Sequence, residues 1–187
     1  WTTVAGSGFT INNWSLDSSD ANSPVTSWRA VSVEEEGDQQ LISPAVVVPG
    51  GVDALTLQYF GKRDLEDGGA GCFDGGVLEF TTDGGSNWQE ITNAMLQTNP
   101  YTGEVDDRFN NPLSGRDAWY GTQDWTRPVV DLAGLDGETL QFRYRLGTDE
   151  SLAEDDWHID DVRVQSCVIV EEEIFADGFE NAPPPPM

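Results

Sequence analysis

From Thr139 to Leu146 the chain alternates strictly, with Leu140, Phe142, Tyr144 and Leu146 on one face and Gln141, Arg143 and Arg145 on the other. A sustained period of two marks a half-buried strand, because successive side chains of a strand point to opposite faces. Asp53 to Phe60 repeats the pattern with Leu55, Leu57 and Tyr59, and Ala45 to Val48 is a short apolar run stopped by Pro49-Gly50-Gly51. Further strands are predicted at Val77 to Thr82, Trp88 to Ile91, Pro128 to Leu132 and Trp157 to Val164. Helical periodicity is nearly absent, and only Gln89 to Leu96 has room for a turn or two. Strands at this spacing, separated by Gly, Asp, Asn and Pro loops, predict an all-β fold. Its form is a two-sheet antiparallel β-sandwich of the jelly-roll kind, in preference to a barrel.

Two regions break the pattern. Asn99 to Trp125 shows no sustained alternation and reads as a long loop, the kind of segment that often carries function. Past Val170 the composition changes: Glu171 to Glu173 is acidic, Ile174-Phe175 apolar, and Pro183 to Pro186 a stiff extended run that no central strand accepts. The expected organisation is a sandwich over 1–170 and a tail over 171–187.

Within the strands, Thr81, Asp83, Gly85 and Trp88 match an Asp-box hairpin turn, in which the carboxylate accepts backbone N–H bonds while glycines take left-handed angles. In the run Asp155 to Val162, Trp157, Ile159 and Asp161 share one phase, whereas Val162 and Val164 are apolar in the other. The alternation therefore slips between Asp160 and Val162, which predicts a β-bulge. Such a bulge is expected to hold carboxylates near those of the loop Arg63 to Asp67. Calcium takes six to eight oxygens, and these segments are rich in them. The alternative is a solvated acidic surface with Asp residues capping turns.

Charge narrows the partners. Thirty-four Asp and Glu against nine Lys and Arg give a formal charge of −25, which argues against nucleic acid and anionic membrane surfaces as partners and favours cations or basic surfaces. Solubility outside the cell accounts for the same excess equally well. No apolar run reaches a membrane span, and no signal-peptide pattern is present. The chain starts at Trp1, as expected of a processed or excised segment. Cys72 and Cys167 carry no metal-binding spacing and leave two readings, a disulfide between strand ends or two buried thiols. The bridge is the expected one, because the composition suits an oxidising compartment.

Catalytic signatures are missing: there is no G-x-S-x-G, no H-E-x-x-H and no Walker-type Gly-Lys pair, and the single histidine, His158, sits inside a predicted strand as a structural residue. Most of the seven tryptophans are core candidates. Trp119 and Tyr120, in the long loop, are the candidates for ligand contact.

The ordered set Leu41-Ile-Ser-Pro-Ala-Val, Asp74 to Trp88, Asn111-Pro-Leu-Ser-Gly-Arg, Phe142 to Asp149 and Trp157-His-Ile-Asp-Asp-Val resembles the MAM-like jelly-roll module that accompanies immune-inhibitor-A-type metallopeptidases and subtilases in bacterial secreted proteins. The resemblance runs from about Trp14 to Val164. It implies a non-catalytic, calcium-stabilised accessory domain, extracellular or at the cell surface, that binds a protein or glycan surface. It places conserved acids at Glu66, Asp74, Asp160 and Asp161, and with Asp67 these are the expected metal ligands. The segment Phe60-Gly61-Lys62-Arg63 departs from the family's aromatic-basic pair. Two rival classes stand beside this one. The first is a self-assembling structural subunit whose tail adds to a neighbouring copy in a filament or surface layer. The second is a glycoside hydrolase built on a carboxylate pair, although the E-x-D-x-x-E strand motif of laminarinase-like jelly rolls is absent.

Overall fold

A computed structural model describes residues 1–68, 72–153 and 156–167. The tail 171–187, the boundary near Val170, and Asp155 of the acidic run lie outside the described residues. Among the described residues every regular element is a strand, and no helix is long and apolar enough to cross a membrane. The first eight strands are β1 (Thr2–Ala5), β2 (Ser15–Asp17), β3 (Ser27–Val31), β4 (Gly37–Ile42), β5 (Val46–Val47), β6 (Ala54–Asp64), β7 (Gly75–Thr81) and β8 (Gln89–Glu90). They continue with β9 (Leu96–Thr98), β10 (Gly103–Glu104), β11 (Asp117–Ala118), β12 (Gln123–Thr126), β13 (Val129–Asp131), β14 (Thr139–Thr148) and β15 (Asp156–Cys167).

One sheet has the order β1-β4-β14-β7-β8 with β5 beside β14, and the other has β2-β3-β15-β6-β13-β9 with β12 beside β6. The pairing is antiparallel in both, so the chain is a two-sheet β-sandwich. The alternating faces pack as the sequence predicts: Leu140, Phe142, Tyr144 and Leu146 of β14 meet Leu55, Leu57 and Tyr59 of β6 in one buried core. Aromatic rings fill its centre. Tyr59 stands edge-on to Tyr144 at 5.1 Å between centroids, and Trp157 lies 5.6 Å from Trp14 and 6.0 Å from Tyr144. A side chain at Gly76 would place its Cβ 2.9 Å from the Trp157 ring, so only glycine lets β7 pass beneath it.

The polar face of β14 is covered as well. Glu79 of β7 accepts from Arg116 at 2.6 Å and from Arg143 Nε at 2.6 Å, and lies 3.1 Å from Arg145, which reaches Asp38 of β4 at 2.8 Å. Arg143 stacks over Trp88 at 4.3 Å. Burial works to raise the Glu79 carboxyl, but the guanidinium groups of Arg145, Arg143 and Arg116 outweigh it and hold it below the usual range.

The Asp-box turn forms as read. Asp83 Oδ1 accepts from the Asn87 N–H at 2.9 Å, Gly84 and Gly85 take positive φ, and bonds from Thr81 and Asn87 bring the Asp83 carboxyl down to about 2. Within Gln89 to Leu96 a single turn forms, closed by the Met95 N–H to the Thr92 carbonyl at 2.9 Å, between β8 on β7 and the start of β9 on β13. The stretch Asn99 to Trp125 is not a bare loop, since it carries β10 and β11 and leads into β12.

The expected disulfide does not form: Cys72 is buried, Cys167 exposed, and both are free. Cys167 lies opposite Ala54 at the start of β6, while Cys72 follows the other end of that strand and bridges to Val105. Roughly ten steps of about 3.3 Å separate those ends, far more than the ~6 Å between Cα atoms that a disulfide spans.

Candidate metal centre

Three acidic residues converge where the two sheets are joined at one end of the sandwich. Glu66 follows β6 of one sheet, Asp74 precedes β7 of the other, and Asp149 follows β14. The pairing of Gly147 with Gly75 sets Asp149 beside Asp74. One carboxylate oxygen from each of the three lies within 4.8 Å of those of the other two, and all three residues are buried. Asp74 Oδ1 accepts from the Asp149 N–H at 3.0 Å, and its other oxygen accepts from the Ser32 hydroxyl. Asp149 Oδ1 accepts from the Ser151 N–H at 2.8 Å. Among the described residues no lysine or arginine pairs with Asp74 or Asp149.

Burial pushes the Asp74 carboxyl up to about 7. The Ser32 hydroxyl and the Asp149 N–H oppose that rise, and the charges of Asp149 and Glu66 add to it. The donors are hard oxygens, which suit calcium or magnesium rather than zinc. Cys72 is close by, but burial raises its thiol far above the ordinary value and its S–H donates to the Asp74 carbonyl at 3.1 Å, so it offers no thiolate.

Of the expected ligands the structure brings only two into this cluster. Glu66 and Asp74 come together, and Asp149 takes the place foreseen for Asp160 and Asp161. The bulge itself is present: the β15 register shifts between Asp160 and Arg163, and Asp161 has φ 51°. It does not carry those carboxylates to the loop, however. Antiparallel register sets Asp156 opposite Asp64 and leaves Asp160 opposite Phe60, four residues down the strand. Asp160 and Asp161 are occupied there, accepting from Ser23 N at 3.0 Å and Asn22 Nδ2 at 2.9 Å. Asp67 is exposed, beside Gly121, and is not part of the cluster.

Trp119 is a core residue, 2% exposed, packed on Tyr101 at 4.4 Å and donating its indole N–H to the Asn99 carbonyl at 2.9 Å. It cannot meet a ligand at the surface. Tyr120 is half-buried against the same core, and its carbonyl accepts from Arg63 Nε.

His158 forms a chain with Ser27 and Asp156 at 2.8 and 3.2 Å. Ser27 is 1% exposed and its hydroxyl donates to the Asp20 carbonyl at 2.8 Å, so it is not presented to a substrate. Asp156 is shared with Arg29 at 2.6 Å. The chain pins β15 to β3 and leaves no nucleophile open.

No family model matches the chain. It is 26% identical over 161 residues to bacillopeptidase F of Bacillus subtilis, across 82% of this chain but only 9% of that protein. In fold it is similar to TmCBM61 in complex with β-1,4-galactotriose, with a TM-score of 0.52, 12% identity, and coverage of 89% of this chain and 88% of that one. It is also similar to the K3 cleaved adhesin domain of Lys-gingipain from Porphyromonas gingivalis, with a TM-score of 0.51, 18% identity, and coverage of 88% and 90%. At such identities these two likenesses speak for the fold alone.

Proposed function

We propose that this chain is a non-catalytic, calcium-stabilised binding or adhesion module of a secreted bacterial protein, of the MAM-like kind that its sequence resembles. The observation that carries the metal is the convergence of Glu66, Asp74 and Asp149 within 4.8 Å in a buried setting. Three like charges taken out of water repel one another and lose hydration, and a divalent cation offsets both costs. The three carboxylates supply part of the six to eight oxygens that calcium takes. Calcium here would tie β6 of one sheet to β7 and β14 of the other. The coverage of bacillopeptidase F, 9% of its length, supports an accessory part rather than a whole enzyme. Sandwich neighbours that include a carbohydrate-binding module and an adhesin domain support binding to a glycan or protein surface.

The experiment is thermal unfolding of the full chain in EDTA and in excess calcium. At a hundredfold excess over Kd, ligand linkage adds about 2.7 kcal/mol. At about 2–4 °C per kcal/mol for a chain of this size, melting should rise by about 5–10 °C. Identical curves with and without calcium would remove the metal from the proposal.

A further inference from the structure

A second arrangement lies on the outer face of the seven-stranded sheet. Register sets Arg29, His158 and Lys62 in one row across β3, β15 and β6, with Asp156 opposite Asp64 in the next row. β12, paired irregularly to β6, borders these rows with Gln123 and Asp124. A cavity of about 580 Å³ opens over them, walled on one side by Ser19 and Asp20 and on the other by Thr122 to Asp124. That size falls within the roughly 300–1,000 Å³ of small-molecule sites.

The lining is fixed in advance. Lys62 Nζ lies 2.5 Å from Asp20 Oδ2, and the Trp125 indole N–H donates to Asp20 Oδ1 at 3.0 Å. Trp125 stands edge-on to the His158 ring at 5.9 Å, and Thr122 donates to Asp64 at 2.6 Å. Side chains already held in place lose little freedom when a ligand arrives.

The chemistry of the lining selects the ligand class. An anion meets the carboxylates of Asp20, Asp64, Asp124 and Asp156, while of the two lining cations Lys62 is matched to Asp20 and Arg63 donates to the Tyr120 carbonyl and the Thr102 hydroxyl. A metal ion finds no converging set here, since among the described residues the acidic group close enough to hold one is Glu66, Asp74 and Asp149. An apolar ligand would strand hydroxyl, amide and carboxylate groups without partners. A neutral sugar fits, because each of its hydroxyls both donates and accepts, and the lining offers hydroxyl and amide groups of Ser19, Thr122 and Gln123 beside the acceptor oxygens of Asp20, Asp64 and Asp124. We propose that the cavity binds a neutral glycan. The inference rests on the binding-module reading above and is independent of the metal.

The test is affinity gel electrophoresis of the full chain in calcium, in gels carrying β-1,4-galactan, xylan, mannan or β-1,3-glucan, with alginate as the anionic counterpart and an empty gel as reference. At least one neutral glycan should retard the protein. Gln123→Ala with Asp124→Ala, at positions that carry little of the core, should weaken that retardation about tenfold, equivalent to 1.4 kcal/mol, with melting and its calcium shift unchanged. Migration unaffected by every neutral glycan, retardation by alginate alone, or equal retardation of wild type and double variant would each overturn the assignment. A protein that melts identically with and without calcium but is still retarded through this cavity sinks the metal reading and leaves this one standing.

Discussion

Replacing Asp74 by asparagine should stabilise the protein in chelator and destabilise it in calcium. In the folded chain the Asp74 carboxyl titrates at about 7, against an ordinary value of 3.8, because it is buried beside Asp149 and Glu66. Between those two values the folded state keeps a proton that the unfolded chain has released. Stability from this group is therefore greatest below pH 4, falls as pH rises through the window from about 4 to 7, and is level above it. At about 1.36 kcal/mol for each pH unit, the full window corresponds to about 4 kcal/mol. Half of that, about 2 kcal/mol, is a reasonable expectation for a site that relaxes once it is charged.

Asparagine keeps an acceptor for the Asp149 N–H and carries no charge. In EDTA at pH 7.5 the variant should accordingly melt higher than wild type by about 4–8 °C. The gap should close toward pH 4.5, where wild-type Asp74 is protonated when folded. In excess calcium the order should invert, because the ion binds the carboxylate and not the amide. Carboxyls held low, such as those of Glu79 and Asp83, lose their contribution as pH falls, but they do so in both proteins and cancel in the difference. The assay is differential scanning calorimetry of both proteins at pH 4.5, 6 and 7.5, with and without the ion. A variant that melts lower than wild type under every condition would refute the reasoning, since Asp74 would then act only as a hydrogen-bond acceptor for Ser32 and Asp149.

Three other outcomes follow from the same structure. Glu79→Ala should cost about 3–5 kcal/mol by urea unfolding, because it strands the guanidinium group of Arg143 at a covered site and leaves Arg145 with Asp38 alone; a loss under 1 kcal/mol would mean that water already screens them. Trp119→Ala should lower stability by about 3–5 kcal/mol through the cavity it leaves, while glycan retardation survives at temperatures where the variant is folded. Cys167 should react with a thiol reagent in the native protein and Cys72 only after unfolding; a native protein with no reactive thiol would restore the disulfide.

The strands that were legible in the sequence are those with one face in the core and one turned outward. β6 and β14 alternate cleanly because Leu55, Leu57 and Tyr59, and Leu140 to Leu146 in steps of two, supply the core from each sheet. β4 escaped for the opposite reason. Its Asp38, Gln39 and Gln40 are all buried, and their polarity is satisfied by contacts such as Arg145 with Asp38 and Gln39 with the Val31 carbonyl. Hydropathy cannot distinguish such residues from a loop. The short strands between Asn99 and Trp125 escaped because two residues are too few to show a period.

The carboxylate cluster was half legible because a carboxylate's neighbours depend on register, which single-chain alternation does not state. The slip at Asp160 was read correctly as a bulge, but a bulge re-aims side chains only near itself, and β15 runs antiparallel to β6. The end of β15 that reaches the Glu66 loop is therefore its beginning at Asp156, and the bulge sits away from it. Asp149 carried a usable signal: it directly follows the most regular strand in the chain, and pairing that strand with the Asp-box strand brings it to Asp74. Register also joins the two proposed sites. Asp64 lines the cavity and Glu66 belongs to the carboxylate cluster, with the buried Leu65 between them, whose carbonyl accepts from the Gly121 N–H next to Thr122. The two sites therefore adjoin along one stretch of backbone, yet the cavity is held by contacts of its own, Thr122 with Asp64 and Lys62 with Asp20, so its lining stands without an ion at Glu66.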